Sequence, residues 1–127
     1  MANKTRLLED GESYRVHHGD CITHLAEMPE KSVDMSVYSP PFPTLYAYGS
    51  KEADIGNSED LDNESKLHLS WFFRGMRRVM KPGRAMLVHC ANIPRMKRSG
   101  GQGLYDFQGM IVRLGERAGF YWEYSWS

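Results

Sequence analysis

An excess of charge of either sign is missing from this chain: 16 Lys and Arg stand against 16 Asp and Glu in 127 residues. Overall charge therefore does not draw the protein onto nucleic acid or an anionic surface, and any positive surface has to be local. Cysteine is scarce too. Cys21 and Cys90 make neither a disulfide framework nor a cysteine-based metal site, which points to a reducing, cytoplasmic setting. Long apolar runs are absent, and no stretch approaches the roughly 20 residues that span a bilayer. The opening Met-Ala-Asn-Lys-Thr-Arg is not followed by the apolar core of a secretory signal, so no membrane role is expected. His17, His18, His24, His68 and His89 match no zinc spacing, and no metal is expected either. There is no internal repeat and no low-complexity tract. What is present suits a folded chain: 41% apolar and 12% aromatic residues rule out wholesale disorder. The length suits one domain, residues 1–127, with one modest core.

The pattern alternates strands and helices. Ser13 to His18 reads as a strand closed by Gly19-Asp20. Cys21, Leu25 and Met28 lie at helical spacing behind a possible Asp20 N-cap, and Pro29 ends that helix. Val33, Met35 and Val37 alternate with polar residues, as in a strand. Residues 43–62 carry turn formers with little periodicity and read as a functional or mobile loop. Leu67, Trp71, Phe72, Met76, Val79 and Met80 mark a helix from about Asn63 to Met80, stopped by Lys81-Pro82-Gly83. Ala85 to Cys90 is near-continuously apolar, which predicts a strand covered on both faces. Asn92 to Gly103 reads as a basic loop, Leu104 to Ala118 as a helix, and Phe120 to Trp126 as an aromatic strand. The fold class that follows is α/β, layered, with parallel strand pairing.

Ser39-Pro40-Pro41-Phe42 stands where the strand through Val37 must stop, because proline has no N–H for a ladder. Each proline also holds the residue before it extended. The product is a stiff loop at the carboxyl end of a strand, where ligands bind in open α/β sheets. It offers a hydroxyl, carbonyls and an aromatic face, which suit an exocyclic amino group and the ring that carries it. Taken alone, the four residues also read as a turn that merely ends a strand. The flanking sequence changes that reading.

Upstream stands His18-Gly19-Asp20-Cys21, then Leu25, Met28-Pro29 and Ser32-Val33-Asp34. Downstream come Tyr46-Ala47-Tyr48-Gly49, Ile55-Gly56, Glu59-Asp60 and Arg78 to Arg84. From about Val16 to Trp126, this order resembles the DNA methyltransferases that act on N4 of cytosine or N6 of adenine. It is most similar to the permuted group whose (Ser/Asp/Asn)-Pro-Pro-aromatic loop precedes the glycine-rich cofactor loop. The resemblance implies a partial Rossmann-like methyltransferase fold, a mainly parallel sheet with helices on its faces, S-adenosylmethionine as cofactor and DNA as partner. It implies that Ser39, Pro40, Pro41 and Phe42 are catalytic. Ser39 and the Pro40 carbonyl would accept the amino hydrogens of a base flipped out of the duplex. Phe42 would stack on that base, worth about 1–3 kcal/mol, or else anchor the loop in the core. Gly19, Asp20, Cys21 and Ser39 would meet the cofactor, with capping competing for the Asp20 oxygens. Arg95, Lys97 and Arg98, ahead of Gly100-Gly101, make a basic loop that either contacts phosphate or is solvated surface. Arg74, Arg77, Arg78, Lys81 and Arg84 read as a solvated helix face and exit, and Tyr46 and Tyr48 as pocket lining or loop packing. Ser in the first loop position leans to N4-cytosine over N6-adenine.

The resemblance breaks at one place. The group's aromatic-x-Gly-x-Gly loop has no counterpart here, and Gly100-Gly101-Gln102-Gly103 sits in the wrong element. The chain thus reads as the N-terminal part of a methyltransferase domain, without the glycine loop or the target-recognition region. A C-terminal half or second subunit is the expected complement. Without it, Val33–Tyr38 is a strand edge in need of a cover, and a homo-oligomer is expected. The rival readings are an inactive remnant or DNA-binding subunit, and a methyltransferase of protein glutamine or RNA adenine, whose loop usually opens with Asn.

Overall fold

The computed structural model describes residues 5–41, 64–94, 103–123 and 125. The elements in order are β1 (Arg6–Asp10), β2 (Arg15–His18), α1 (Cys21–Glu27), β3 (Ser36–Tyr38), α2 (Glu64–Val79), β4 (Met86–Val88), β5 (Ile93–Pro94), β6 (Leu104–Tyr105) and α3 (Phe107–Arg117).

Local chemistry sets the helix ends. Asp20 caps α1 by accepting from the Ile22 N–H (3.2 Å) and the Thr23 hydroxyl (2.8 Å). Met28 is extended at ψ 147°, as a residue before proline must be. Asp106 caps α3 through the Gly109 N–H (2.9 Å), and Asn92 accepts from the Gln108 N–H (3.0 Å). At the other end, Gly119 takes φ +104°. The Phe120 N–H reaches the Gly115 carbonyl and the Gly119 N–H the Glu116 carbonyl, both at 3.0 Å. That is the Schellman closure that glycine allows.

The core lies between α2 and its neighbours. Leu69, Phe72, Phe73, Met76 and Val79 of α2, with Met80, bury against Leu25 of α1, Ile93, and Phe107, Met110, Ile111 and Leu114 of α3. Gly75 lets α1 close on α2: a Cβ there would stand 3.1 Å from the Leu25 side chain. Arg78 donates to the Leu25 and Met28 carbonyls at the end of α1. The expected solvated role fails for this arginine, because its guanidinium donates to carbonyls at the end of α1, where the helix cannot fully satisfy them itself. Lys81 (2.9 Å) and Arg84 (3.9 Å) meet Asp34 instead of pointing freely into water.

The sheets differ from expectation. Among the described residues there are three two-stranded sheets, of which only β3–β4 is parallel. Its register is Ser36↔Met86, Val37↔Leu87 and Tyr38↔Val88, preceded by a parallel bridge Val33↔Met80. β2 joins no parallel sheet; it pairs antiparallel with β1, a strand not expected from the sequence. The Asn92–Gly103 stretch is not all loop, since β5 pairs with β6 and α3 starts at Phe107, not Leu104. Residues 120–123 form no strand, and Tyr121 and Trp122 are 91% and 58% exposed.

Of the alternating apolar residues, Val33 packs against the core, whereas Met35 and Val37 are 61% and 70% exposed. Tyr38 turns inward instead and stacks on Phe72 with ring centroids 4.2 Å apart. One side of β3–β4 rests on α2, and the opposite side carries Val37 and Leu87 without a layer over it among the described residues. Met86, Leu87 and Val88 are accordingly only half-buried, not covered on both faces.

Candidate active site

Two turns carry the candidate residues, one after β2 and one after β3. The first is Gly19-Asp20-Cys21, where β2 gives way to α1. Its glycine answers to packing: a Cβ on Gly19 would sit 3.0 Å from the Thr5 Cα. Both Asp20 oxygens serve the cap, but each keeps a lone pair for a further amino donor. The Cys21 thiol is pushed up by burial and, secondarily, by the Asp20 carboxylate, so it stays a thiol and is a poor nucleophile.

The second turn is Ser39-Pro40-Pro41. Tyr38 carries it: the Tyr38 carbonyl accepts from the His89 N–H (2.8 Å), tying the end of β3 to β4. The Pro40 ring is fully buried, Pro41 is half-buried and Ser39 is exposed. A buried proline ring fixes the direction of its own carbonyl, while the serine hydroxyl stays open to a ligand. Burial pushes the Tyr38 phenol far above its ordinary value, and a negative charge on Cys21 would add to the effect. Tyr38 is the residue that sequence reasoning passed over; its place next to Ser39 in an otherwise apolar-alternating strand was the available signal.

Phe42, Tyr46, Tyr48, Arg95, Lys97 and Arg98 lie outside the described residues. Hairpin β5–β6 brackets the basic stretch in sequence. Among the described residues, no group of three His, Cys, Asp or Glu side chains is placed to hold a metal, and no helix is long and apolar enough to cross a membrane. A shallow groove of about 270 Å³ lined by Asp106, Gln108, Val112, Arg113 and Trp122 contains none of the candidate residues.

The groups the two turns present are acceptors: a carboxylate, a hydroxyl and a carbonyl. That set fits amino donors, such as the amines of a nucleobase, better than it fits phosphate or metal.

No protein-family model matches the chain. Over 84 residues it is 29% identical to the type II methyltransferase M.BamHI of Bacillus amyloliquefaciens, covering 64% of this chain and 18% of that protein. In fold it is similar to a candidate DNA modification methylase of Thermus thermophilus, with a TM-score of 0.63 and 25% identity over 81% of this chain and 39% of the other. The same methylase solved with S-adenosyl-L-methionine superposes with a TM-score of 0.61 at 23% identity, covering 38% of its chain. The likeness is to DNA methyltransferases. The chain spans 18% of the length of the curated relative and about two-fifths of the solved chains.

Proposed function

We propose that this chain carries the catalytic-loop portion of an S-adenosylmethionine-dependent DNA amino-methyltransferase, acting on N4 of cytosine before N6 of adenine. The observation that carries the reading is the Ser39-Pro40 turn, at the carboxyl end of the parallel strand β3 with its Pro40 ring locked in the core. Similarity to M.BamHI over 84 residues, and the fold of a methylase solved with S-adenosyl-L-methionine, support a DNA methyltransferase that uses this cofactor.

The acceptor set fits the cofactor. Asp20 would accept from its adenine amine, with Gly19 and Cys21 beside it. Bound there, the cofactor supplies an electrophilic methyl group on sulfur. The amino nitrogen of a nucleobase is a weak nucleophile because its lone pair is delocalised into the ring. Ser39 Oγ and the Pro40 carbonyl each accept one amino hydrogen, which draws the nitrogen toward a tetrahedral shape and aims its lone pair. Phe42 stacks on the base once it has left the duplex. The remaining contribution of the chain is orientation. Arg95, Lys97 and Arg98 contact phosphate and set the position of the DNA without reading its sequence. A C-terminal half or second subunit supplies the glycine-rich loop.

The test is a titration of the isotope-labelled chain with S-adenosylmethionine, followed by amide chemical shifts. Gly19, Asp20, Cys21 and Ser39 should move together. If these amides stay still while the chain is folded, the cofactor assignment fails. A second reading, a subunit without catalysis of its own, draws on the engagement of both Asp20 oxygens in the helix cap; it predicts DNA binding with no response to the cofactor.

A further inference from the structure

Methylation of an amino nitrogen leaves a proton to be placed, and the two acceptors assigned above cannot keep it. When the nitrogen takes a methyl group from a sulfonium, the N–C bond forms, the C–S bond breaks and its electron pair stays on sulfur. The nitrogen gains a positive charge and sheds one of its two hydrogens as a proton. Neither a serine hydroxyl nor a peptide carbonyl holds a proton near neutral pH. Histidine is the side chain suited to take one.

Strand β4 brings such a group beside Ser39. β3 and β4 run parallel with Tyr38 opposite Val88, so both strands reach their carboxyl ends together. The His89 N–H donates to the Tyr38 carbonyl (2.8 Å) and closes the ladder; Pro40 has no N–H to carry it further. Side chains alternate across each strand. Tyr38, Val88 and Cys90 pack against the core and Pro40 is buried, whereas Ser39 and His89 are exposed. Ser39 and His89 therefore share the open face, each one residue past a register pair, on strands about 4.8 Å apart. Their titratable neighbours in sequence do not compete for the proton. Burial pushes the Tyr38 phenol and the Cys90 thiol up, so both already hold their own protons near neutrality.

We infer, resting on the activity proposed above, that His89 is the proton acceptor of the site and acts through the Ser39 hydroxyl. As the N–C bond forms, the amino hydrogen held by Ser39 Oγ passes to that oxygen, while the serine's own hydrogen passes to the neutral imidazole. Ser39 ends as it began, His89 becomes an imidazolium, and water later takes the proton from it. Atoms and charge balance without a further reactant. His89 touches neither the base nor the cofactor in this scheme, so its effect falls on turnover and not on binding.

The 127-residue chain by itself allows a first test. In an NMR titration over about pH 5–8, where histidine changes charge, the Ser39 amide and Cβ resonances should follow the His89 ring. They should lose that response in His89→Gln. A Ser39 that stays flat while His89 titrates, or that responds unchanged in His89→Gln, overturns the inference. A second test uses an assembly that transfers methyl groups. There His89→Ala should lower kcat about 10²–10⁴-fold, the usual contribution of a positioned proton acceptor. KM for DNA and cofactor affinity should be nearly unchanged, and added imidazole should restore turnover. An undiminished kcat, or a loss that imidazole does not restore, overturns the role of His89 and leaves the methyltransferase reading standing. That reading fails separately, and takes the inference with it, if the amides of residues 19–21 and 39 ignore the cofactor. Should the variants fail to fold, the unaltered chain decides alone: Ser39 must follow the midpoint of His89 and of no other histidine.

Discussion

Tyr38 links strand to loop: its ring stacks on Phe72 of the core, its carbonyl holds β4, and Ser39 follows directly. Burial keeps its phenol protonated far above the ordinary range, so the folded chain holds that proton more tightly than the unfolded chain. The resulting stabilisation is whole below about pH 10, where an unfolded tyrosine titrates, and declines as the pH rises beyond it. Cys21 and Cys90, also pushed up by burial, act in the same direction from about pH 8.5. Urea unfolding at about pH 8 and about pH 11 should show a smaller loss of stability in Tyr38→Phe than in the unaltered chain. Equal losses would remove Tyr38 as a source of alkaline sensitivity. Asp20 permits a second separation. Asp20→Ala should cost about 0.5–2 kcal/mol through the lost cap, whereas Asp20→Asn keeps a capping oxygen and should cost far less. If Asp20 also meets the cofactor amine, Asp20→Asn weakens cofactor binding while stability holds; unchanged binding by calorimetry would leave it a cap alone. Ser39 and Phe42 belong to the substrate side of the proposal. In an assembly that transfers methyl groups, Ser39→Ala and Phe42→Ala should each reduce methylation by more than they reduce cofactor binding. Intact turnover with collapsed folding in Phe42→Ala would make that ring a core anchor.

At the scale of elements, α1 is held at both ends by single side chains. Asp20 caps its start, and Arg78 of α2 takes the Leu25 and Met28 carbonyls at its finish. Arg78→Ala leaves those carbonyls without their charged donor and should destabilise the chain by about 1–3 kcal/mol. Arg78→Lys should recover only part of that, since one ammonium cannot reproduce the planar fork. Denaturant midpoints of the two variants decide it, and full rescue by lysine would mean that charge alone matters. The helices were legible in sequence because apolar spacing and the residues at their ends, Asp20, Pro29 and Gly119, act locally. Strand partners were not. The antiparallel β1–β2 pair and the short β5–β6 pair depend on which chain segments meet, and neither Arg6–Asp10 nor Ile93–Pro94 carries a strong alternation of its own.

At the scale of the whole molecule, the resemblance implies a glycine-rich loop that has no counterpart in these 127 residues. The chain alone is therefore expected to transfer no methyl group from tritiated cofactor to DNA. Positioning of two reactants can be worth about 7–11 kcal/mol of barrier, and in the proposed reading these residues supply only one side of that arrangement. Robust turnover by the chain alone would show that another part of it orients the sulfonium. The sequence by itself determined the helices, the strand that runs into two prolines, and the acceptor chemistry of Ser39 and Asp20, because each of these follows from residue type and near neighbours. Tertiary structure decided which face of β3 is buried. Alternation at Val33, Met35 and Val37 left the face open, and the helix that covers the sheet meets the Tyr38 side, where an aromatic stack on Phe72 gains more than a valine would.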